Sequence, residues 1–356
     1  MKIFQNIYLA FLVLILSGIL FVYSVYRYEL SEVSSDDELK TVIIEPGSVD
    51  SIATTLYEEN LIRNKLAFKA YVKFSGKSNL KAATYSLSED MGTRKIVDIL
   101  YEGDGINLEQ IKITFKEGLN MRGIAKVISD NTNNSDDDVY NTLDNKEYLN
   151  GIIDKYWFVE EDILNNDIYY SLEGYLYPST YYLGSRDVTV EEIFDVMLEE
   201  TGKQLEAYKE QISNSDMSVH EILTLASIVE LEGVTDEDRK GIAGVFFNRL
   251  QDDISLGSDV TTYYGVRVDM GERDLYSDEV SGCNDYNTRC VTFSGLPVSP
   301  ICNSSLSSIE AVLNPDETNN YYFVADKNRK IYFSKNITEH NNTIAKLKKE
   351  DLWYTY

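Results

Sequence analysis

Leu223–Gly233 reads LTLASIVELEG, an almost wholly apolar segment that carries two carboxylates at its end. Ser218, with Glu221 three residues later, forms the capping-box pattern that marks the start of a helix. Only Thr224 and Ser227 interrupt the apolar residues of this helix before its acidic end. A helix that is apolar on nearly all sides is normally buried, so the pattern predicts a buried helix.

Two glutamates, Glu230 and Glu232, lie at the end of this helix, and Gly233 is a stop signal. Burial and the negative end of the helix dipole both raise the pKa of a carboxyl group, as a general acid requires near neutral pH. Residues two apart point roughly 200° apart around a helix. We therefore expect one glutamate to face a site and the other to support the structure. The alternative is that both are solvated charges at a helix end.

The composition excludes several classes of protein. The 356 residues are 43% apolar, which is enough for two or three domains with their own cores. The net charge of -26 argues against a nucleic-acid partner and against attachment to anionic lipid through basic residues. Zinc, nucleotide-binding and serine-hydrolase motifs are missing, so we expect no metal and no cofactor. Carboxylates are therefore the remaining candidates for catalytic groups. The 27 tyrosines offer aromatic faces that suit sugar rings or simple packing.

A continuous apolar run of twenty residues, Ile7–Tyr26, is long enough to cross a bilayer as a helix. A lysine precedes it and an acidic segment follows it, so the positive-inside rule places residues 1–6 in the cytoplasm and the bulk of the chain outside, although Arg27 opposes this orientation. A cleaved signal peptide is the alternative, but its hydrophobic region is shorter and precedes a small-residue cleavage site. We expect a retained single-pass anchor at 7–26 and a polar spacer at 27–40.

Between residues 41 and 105 the pattern predicts a strand, two helices and a second strand. The strands are TVIIE (Thr41–Glu45) and AATYSLS (Ala82–Ser88), and Thr93 starts a further helix. This order is that of LysM-like glycan-binding modules, and a small spacer domain that binds no sugar is the alternative. Residues 106–212 are predicted to form a connecting α+β region.

Residues 213–356 are predicted to form the final domain, which contains the buried helix. Its segment 255–300 is rich in loops, and irregular segments of this length are more often functional than not. Tyr321–Ala325 and Lys330–Ser334 are expected to pair as a hairpin.

Three cysteines lie within one twenty-residue window of this domain, on the expected outer side of the membrane, where disulfides persist. The simplest pair is Cys283–Cys290 with Cys302 left over, and the sequence leaves the pairing open.

Several motifs resemble, in order and spacing, those of the endolytic murein transglycosylases of the MltG (YceG-like) family. They cover roughly Glu173–Ala345 and read EGYLYPSTYY, LASIVELEG, VFFNRL, SDVTTYYG, YNT, SGLPVSPI, LNP and YYFVAD. The chain departs from the family pattern at Val260, where a proline usually follows the aspartate, and at Val298 and Ser299 within the GLP segment. The three cysteines are not part of the pattern.

The resemblance implies an α+β lytic transglycosylase domain that follows a transmembrane helix and a LysM-like domain. It implies a lyase that cuts peptidoglycan between N-acetylmuramic acid and N-acetylglucosamine and leaves 1,6-anhydro-muramic acid ends. Glu232 would be the catalytic acid and base, and Glu230 a supporting residue. The expected location is the bacterial cell membrane, with the catalytic domain on the extracytoplasmic side. Cell-wall synthesis proteins are expected partners.

The resemblance also implies residues that orient the sugar. They are Tyr286, Asn287 and Thr288, together with Asp259, Asn303 and Asn314, and turn formation or packing is the alternative role. Two other functions stay open. One is a non-catalytic peptidoglycan-binding membrane scaffold of the cell-wall synthesis machinery, and the other is a hydrolase that uses water, with Asp259 as its second carboxylate.

Overall fold

The computed structural model describes residues 2–103 and 111–353, with side chains from residue 14 onward. The chain divides into two compact units, Met1–Gln110 and Ile111–Tyr356. Each unit combines helices with short antiparallel strand pairs. The α+β class predicted from the sequence is therefore confirmed.

The first unit contains the strand–helix–helix–strand order expected for residues 41–105. Its strands pair in antiparallel register, with Lys40 opposite Leu87 and Ile44 opposite Ala83. Apolar side chains from the helices cover one face of this pair and form a separate core, centred on Phe68 and Tyr85. A LysM-like glycan-binding role stays a prediction. The elements are α1 Lys2–Glu29, β1 Lys40–Ile44, α2 Val49–Glu58, α3 Lys65–Ser75, β2 Ala83–Leu87 and α4 Gly92–Glu102.

The apolar run Ile7–Tyr26 lies within α1, but its side chains as far as residue 13 fall outside the described ones. Among the described residues, no helix combines the length and the apolarity needed to cross a bilayer. The membrane anchor therefore stays a prediction.

The second unit is built around the segment that carries LTLASIVELEG. Its elements up to that helix are β3 Ile111–Thr114, α5 Met121–Asn131, α6 Asp136–Leu143, α7 Lys146–Lys155, a 3-10 turn Glu161–Leu164, β4 Thr180–Leu183, α8 Val190–Glu206, α9 Lys209–Ser213 and α10 Val219–Glu232. Those that follow are α11 Asp236–Gln251, α12 Asp259–Gly265, α13 Ser277–Ser281, α14 Leu306–Leu313, β5 Tyr322–Ala325, β6 Ile331–Ser334 and α15 Ile337–Lys349.

Helix α10 is the centre of this unit, because every residue from Val219 to Val229 is buried except Glu221. The capping box of Ser218 and Glu221 is present as predicted. The surrounding core includes side chains from both 111–212 and 213–353, such as Phe194 and Phe246. The predicted division of roles at residue 212 stays a prediction. The segments before and after it share one core.

Strand pairing confirms the predicted hairpin and shows a second, long-range pair that was not predicted from the sequence. The predicted hairpin is present, with Tyr322 of β5 opposite Ser334 of β6. The aromatic motif EGYLYPSTYY ends in β4, which pairs with β3 and places Thr180 opposite Thr114. The pairing partners lie 66 residues apart in sequence, and single-strand propensity does not identify such a long-range partner.

Gly174, in the same motif, is held in a conformation that L-residues avoid. Its φ is +84°, and an added Cβ would lie 2.3 Å from Cβ of Pro300. The glycine therefore allows the motif to pack directly on the loop that leads to Ile301 and Cys302, both of which are buried.

We expect Gly174→Ala to lower the free energy of unfolding by roughly 2–4 kcal/mol, because it combines backbone strain with a steric clash. Gly151→Ala in α7 is the matched control. Nothing lies within 4 Å of its added Cβ, so alanine should leave stability unchanged or raise it by up to about 1 kcal/mol. Urea unfolding of both variants measures the difference. Equal midpoints would contradict the packing described here.

Candidate active site

The end of α10 brings Glu232 to the surface of the core while Gly233 lets the chain turn away. Gly233 is extended rather than left-handed, with φ −93°. Its lack of a side chain matters for another reason, since an added Cβ would lie 2.7 Å from Cγ of Arg239. The glycine ends the helix as predicted, and its main role is to let α11 approach closely.

Glu232 is half-buried, and its carboxyl group is held by one neighbouring hydroxyl. The Ser258 hydroxyl donates a hydrogen bond of 2.5 Å to Oε1. Burial raises the pKa of Glu232, and the nearby charge of Asp259 acts in the same direction. The Ser258 hydrogen bond and the charge of Arg289 oppose this shift, and the net pKa remains above the usual value. A carboxyl group with a raised pKa keeps its proton to higher pH than an ordinary one, and Glu232 is still partly open to solvent.

Ser258 is positioned by a group of buried hydroxyls. Its amide donates to Oγ1 of Thr288 at 3.0 Å, and its carbonyl accepts from Oγ1 of Thr261 at 2.7 Å. The amide of Thr288 donates in turn to Oγ1 of Thr261 at 3.2 Å. Thr261 and Thr288 are fully buried. This network fixes the hydroxyl that holds Glu232.

Glu230 has different partners from Glu232, as the two-residue spacing predicts. Its Oε2 accepts from the amide of Ser305 at 3.0 Å and from the hydroxyls of Ser305 and Ser308 at 2.5 and 2.6 Å. Nη2 of Arg239 lies 3.3 Å from Oε1, and the Glu230 side chain is only 6% exposed. The carboxylate thus caps the N-terminus of α14, which is a favourable place for negative charge. This geometry fits the supporting role expected for it.

Asp259 is the first residue of α12 and forms an ion pair with Nε of Arg289. Its side chain is 56% exposed. Asp259 is therefore open to a ligand at the edge of the site. Its effect on Glu232 is electrostatic, because its negative charge favours the protonated form of the neighbouring carboxyl group.

Four of the other residues predicted to bind substrate are buried, whereas Asn314 is exposed. The Tyr286 hydroxyl accepts from the amide of Tyr169 at 3.0 Å, and the Asn287 amide group donates to the carbonyl of Gly282 at 2.5 Å. Oδ1 of Asn303 accepts from the amide of Leu176 at 2.9 Å. Tyr286, Asn287, Thr288 and Asn303 are each at most 1% exposed, and Asn314 ends α14 and accepts from Gln211. Their geometry favours a loop-holding role, and direct contact with substrate stays a prediction.

A disulfide closes the loop that carries three of these residues. Cys283 is bonded to Cys290, the simplest pair suggested by the sequence, and Cys302 is buried with a free thiol. The bridge spans seven positions and encloses Tyr286, Asn287 and Thr288. It therefore braces the segment on which Ser258 rests.

Three residues of this region were not predicted from the sequence: Glu173, Ser258 and Arg289. Glu173 is 1% exposed, and burial raises its pKa to about 7. Its Oε2 accepts from the amide of Met121 at 2.8 Å and from the hydroxyl of Tyr264 at 2.9 Å. A lone glutamate that opens an aromatic motif was an available signal for Glu173. No local pattern distinguishes Ser258 or Arg289 from ordinary loop residues.

A cavity of about 330 Å³ lies beside the end of α10. Leu231 and Val260 line it, and these are the chain neighbours of Glu232 and Asp259. Asn120, Arg122 and Asp269 line it as well. Pockets next to a carboxyl group with a perturbed pKa are the usual places for substrate. The cavity beside the chain position of Glu232 is therefore the candidate place for a ligand.

No group of three or more His, Cys, Asp or Glu side chains within residues 2–103 and 111–353 is arranged to hold a metal ion.

Comparison with known proteins finds relatives that match most of this chain. A model of the YceG-like family matches residues 42–346. The endolytic murein transglycosylase of Bacillus subtilis (strain 168) is 35% identical, over 92% of this chain and 89% of that protein. The endolytic murein transglycosylase of Streptococcus pneumoniae serotype 2 is 30% identical, over 97% of this chain and 65% of that longer protein.

The fold has a counterpart among solved structures. The crystal structure of a yceG-like protein from Listeria monocytogenes superimposes with a TM-score of 0.62 at 37% identity. The match covers 86% of this chain and 98% of that one. With the family model extending over most of the sequence, these matches show that the chain belongs to the YceG-like family, as its motifs predicted.

Proposed function

We propose that this chain cleaves peptidoglycan glycan strands internally, between N-acetylmuramic acid and N-acetylglucosamine, as a lytic transglycosylase. The names of its relatives support cleavage of murein. The observation that carries the proposal is the half-buried carboxyl group of Glu232, which has a raised pKa and lies beside a cavity. This combination suits a group that must give up a proton and then take one back.

The proposed reaction needs only one acid–base residue. Protonated Glu232 donates its proton to the glycosidic oxygen as the bond to C1 of muramic acid breaks. The resulting carboxylate then accepts the proton of the C6 hydroxyl, whose oxygen forms the new bond to C1 of the same sugar. Glu232 ends protonated, and the strand ends in a 1,6-anhydro ring. Water does not enter the products.

A hydrolase would need a second carboxylate to act as nucleophile or to activate water. Asp259 is the acidic neighbour that could serve, and it is paired with Arg289. The Asp259 carboxylate is engaged by Arg289 and is not left free to position a water molecule. This contact favours the lyase over the hydrolase. Glycan strands cut with water would carry reducing muramic acid ends. These ends differ in mass from anhydro ends by one water molecule.

We further propose that the chain is held in the bacterial cell membrane by one helix within residues 7–26, with its catalytic unit on the extracytoplasmic side. The apolar run and its flanking charges support this location. The strand–helix–helix–strand order of residues 40–87 supports a LysM-like role in holding glycan strands. Cell-wall synthesis proteins are the proposed partners. A scaffold that binds peptidoglycan without cutting it remains the second candidate, and loss of turnover in the Glu232 variant distinguishes the two.

Glu232→Gln should reduce the release of anhydro-muropeptides from sacculi by at least roughly 10²–10⁴-fold, because an amide cannot exchange the proton. Mass spectrometry of the products measures the rate and identifies the ends. The free energy of unfolding of the Glu232→Gln variant should equal or exceed that of the wild type, since a partly buried ionisable group is replaced by a neutral one. Full activity in this variant would remove Glu232 from the mechanism.

Glu230→Gln tests the supporting role assigned to Glu230 and is the counterpart of the Glu232→Gln variant. It should lower the free energy of unfolding by about 1–3 kcal/mol, because the cap of α14 and the pair with Arg239 both lose a charge. Glu237→Gln, an exposed change on α11, should alter neither activity nor stability. A larger stability loss in the Glu232 variant than in the Glu230 variant would contradict the roles assigned to the two glutamates.

Ser258→Ala should move the alkaline limb of the kcat/KM profile to higher pH. The Ser258 hydrogen bond stabilises the charged carboxylate, so its removal raises the pKa of Glu232 further. A general acid is active below its pKa, and activity is lost as pH rises through that value. The pH–rate profiles of the two proteins measure the shift. A limb that stays in place or moves to lower pH would assign the limb to another group, such as Glu173.

A further inference from the structure

The cavity of about 330 Å³ lies beside Glu232 rather than around it. Leu231 forms part of its wall, whereas the carboxyl group of the next residue bonds to Ser258. Successive residues of a helix point about 100° apart, so the two side chains face different directions. The cavity is therefore offset from the Glu232 carboxyl group, and a strand whose cleaved bond lies at Glu232 would reach it through a group that branches off next to that bond.

The chemistry of the walls indicates what kind of group would fit. Leu231, Val260 and Met270 are apolar, while Arg122 and Asp269 supply charge at one side. The volume equals that of about ten water molecules, which is more than a single hydroxyl or acetyl substituent fills. A sugar ring that filled the cavity would leave the hydroxyls facing these three apolar side chains without hydrogen-bond partners, which is costly. A short peptide with small apolar side chains and a carboxylate matches the walls better.

We propose that this cavity binds the peptide stem of the muramic acid whose bond is cleaved, and that Arg122 receives a carboxylate of that stem. The proposal rests on the function proposed above, which supplies the substrate. The stem is attached through a lactyl ether at C3 of the same ring whose C1 carries the broken bond. It therefore leaves the glycan within one sugar ring of Glu232.

Arg122 is already engaged in the interaction that the stem would replace. Its Nη2 lies 2.5 Å from Oδ1 of Asp269, and Nδ2 of Asn120 donates to the same oxygen at 2.9 Å. The Asp269 side chain is 59% exposed, whereas that of Arg122 is 20% exposed. The exposed aspartate can turn into solvent while the guanidinium stays in place. A carboxylate of the stem would then take over the same charged hydrogen bonds.

The wall behind Arg122 is held by buried hydrogen bonds, which position the guanidinium. The buried carboxyl group of Glu173 accepts from the amide of Met121 and from the hydroxyl of Tyr264. Met121 precedes Arg122 at the start of α5, and the Tyr264 ring centre lies 5.8 Å from the Arg122 guanidinium carbon. The positive end of the α5 dipole adds to the local preference for an anion. Binding of a carboxylate would therefore cost little side-chain conformational entropy at Arg122.

The test compares uncrosslinked glycan strands that carry stems with the same strands after an amidase has removed them. For the full chain, kcat/KM should be at least about tenfold higher on stem-bearing strands, which corresponds to about 1.4 kcal/mol. Arg122→Gln should bring this ratio close to one, mainly by raising KM on stem-bearing strands. Lys126→Gln is the matched control, because Lys126 lies on the same helix and is 73% exposed. It should keep the wild-type ratio.

Binding of both strands to the Glu232→Gln variant, measured by calorimetry, separates this inference from the proposed function. Preferred binding of stem-bearing strands without turnover by the wild type would reject the proposed function and support the stem site. Equal kcat/KM on both strands, or an equal loss on both in Arg122→Gln, would overturn the stem site. In that case cleavage of either strand would still support the transglycosylase.

Discussion

The hydrogen bond from Ser258 to Glu232 joins the end of the buried helix α10 to the start of α12, and the site depends on its balance with burial. Burial favours the protonated carboxyl group, and the hydroxyl favours the carboxylate. An acid that must later act as a base needs both forms within reach. The Ser258 hydroxyl can supply that balance because Thr261 and Thr288 hold its backbone from below.

Two carboxylates of the same short sequence illustrate how environment divides their roles. Glu230 is nearly covered, and it is surrounded by serine donors, the guanidinium of Arg239 and a helix N-terminus. These contacts hold the Glu230 side chain in place at the start of α14. Glu232, two residues later, has one hydroxyl donor, the opposing charges of Asp259 and Arg289, and access to solvent. A difference of two residues in position is thus enough to give the two glutamates opposite surroundings.

The loop between α12 and α14 supports the site from within the protein, and contact of its motif with substrate stays a prediction. Tyr286, Asn287 and Thr288 are buried, with their polar atoms bonded inside the protein. Polar motifs of this kind are often interpreted as ligand contacts, because a loop usually lies on the surface. Here the Cys283–Cys290 bridge and the buried hydroxyls turn the loop into a support for Ser258.

The sequence by itself determined the local features: the buried helix with its Ser218 cap, the hairpin of β5 and β6, and the separation of Glu230 from Glu232. These follow from periodicity and capping, which act over a few residues. Only the tertiary structure decided which groups meet: Ser258 with Glu232, Glu173 with Tyr264, and β3 with β4. Such contacts join segments 26 to 91 positions apart, and their energies depend on packing that no local pattern encodes.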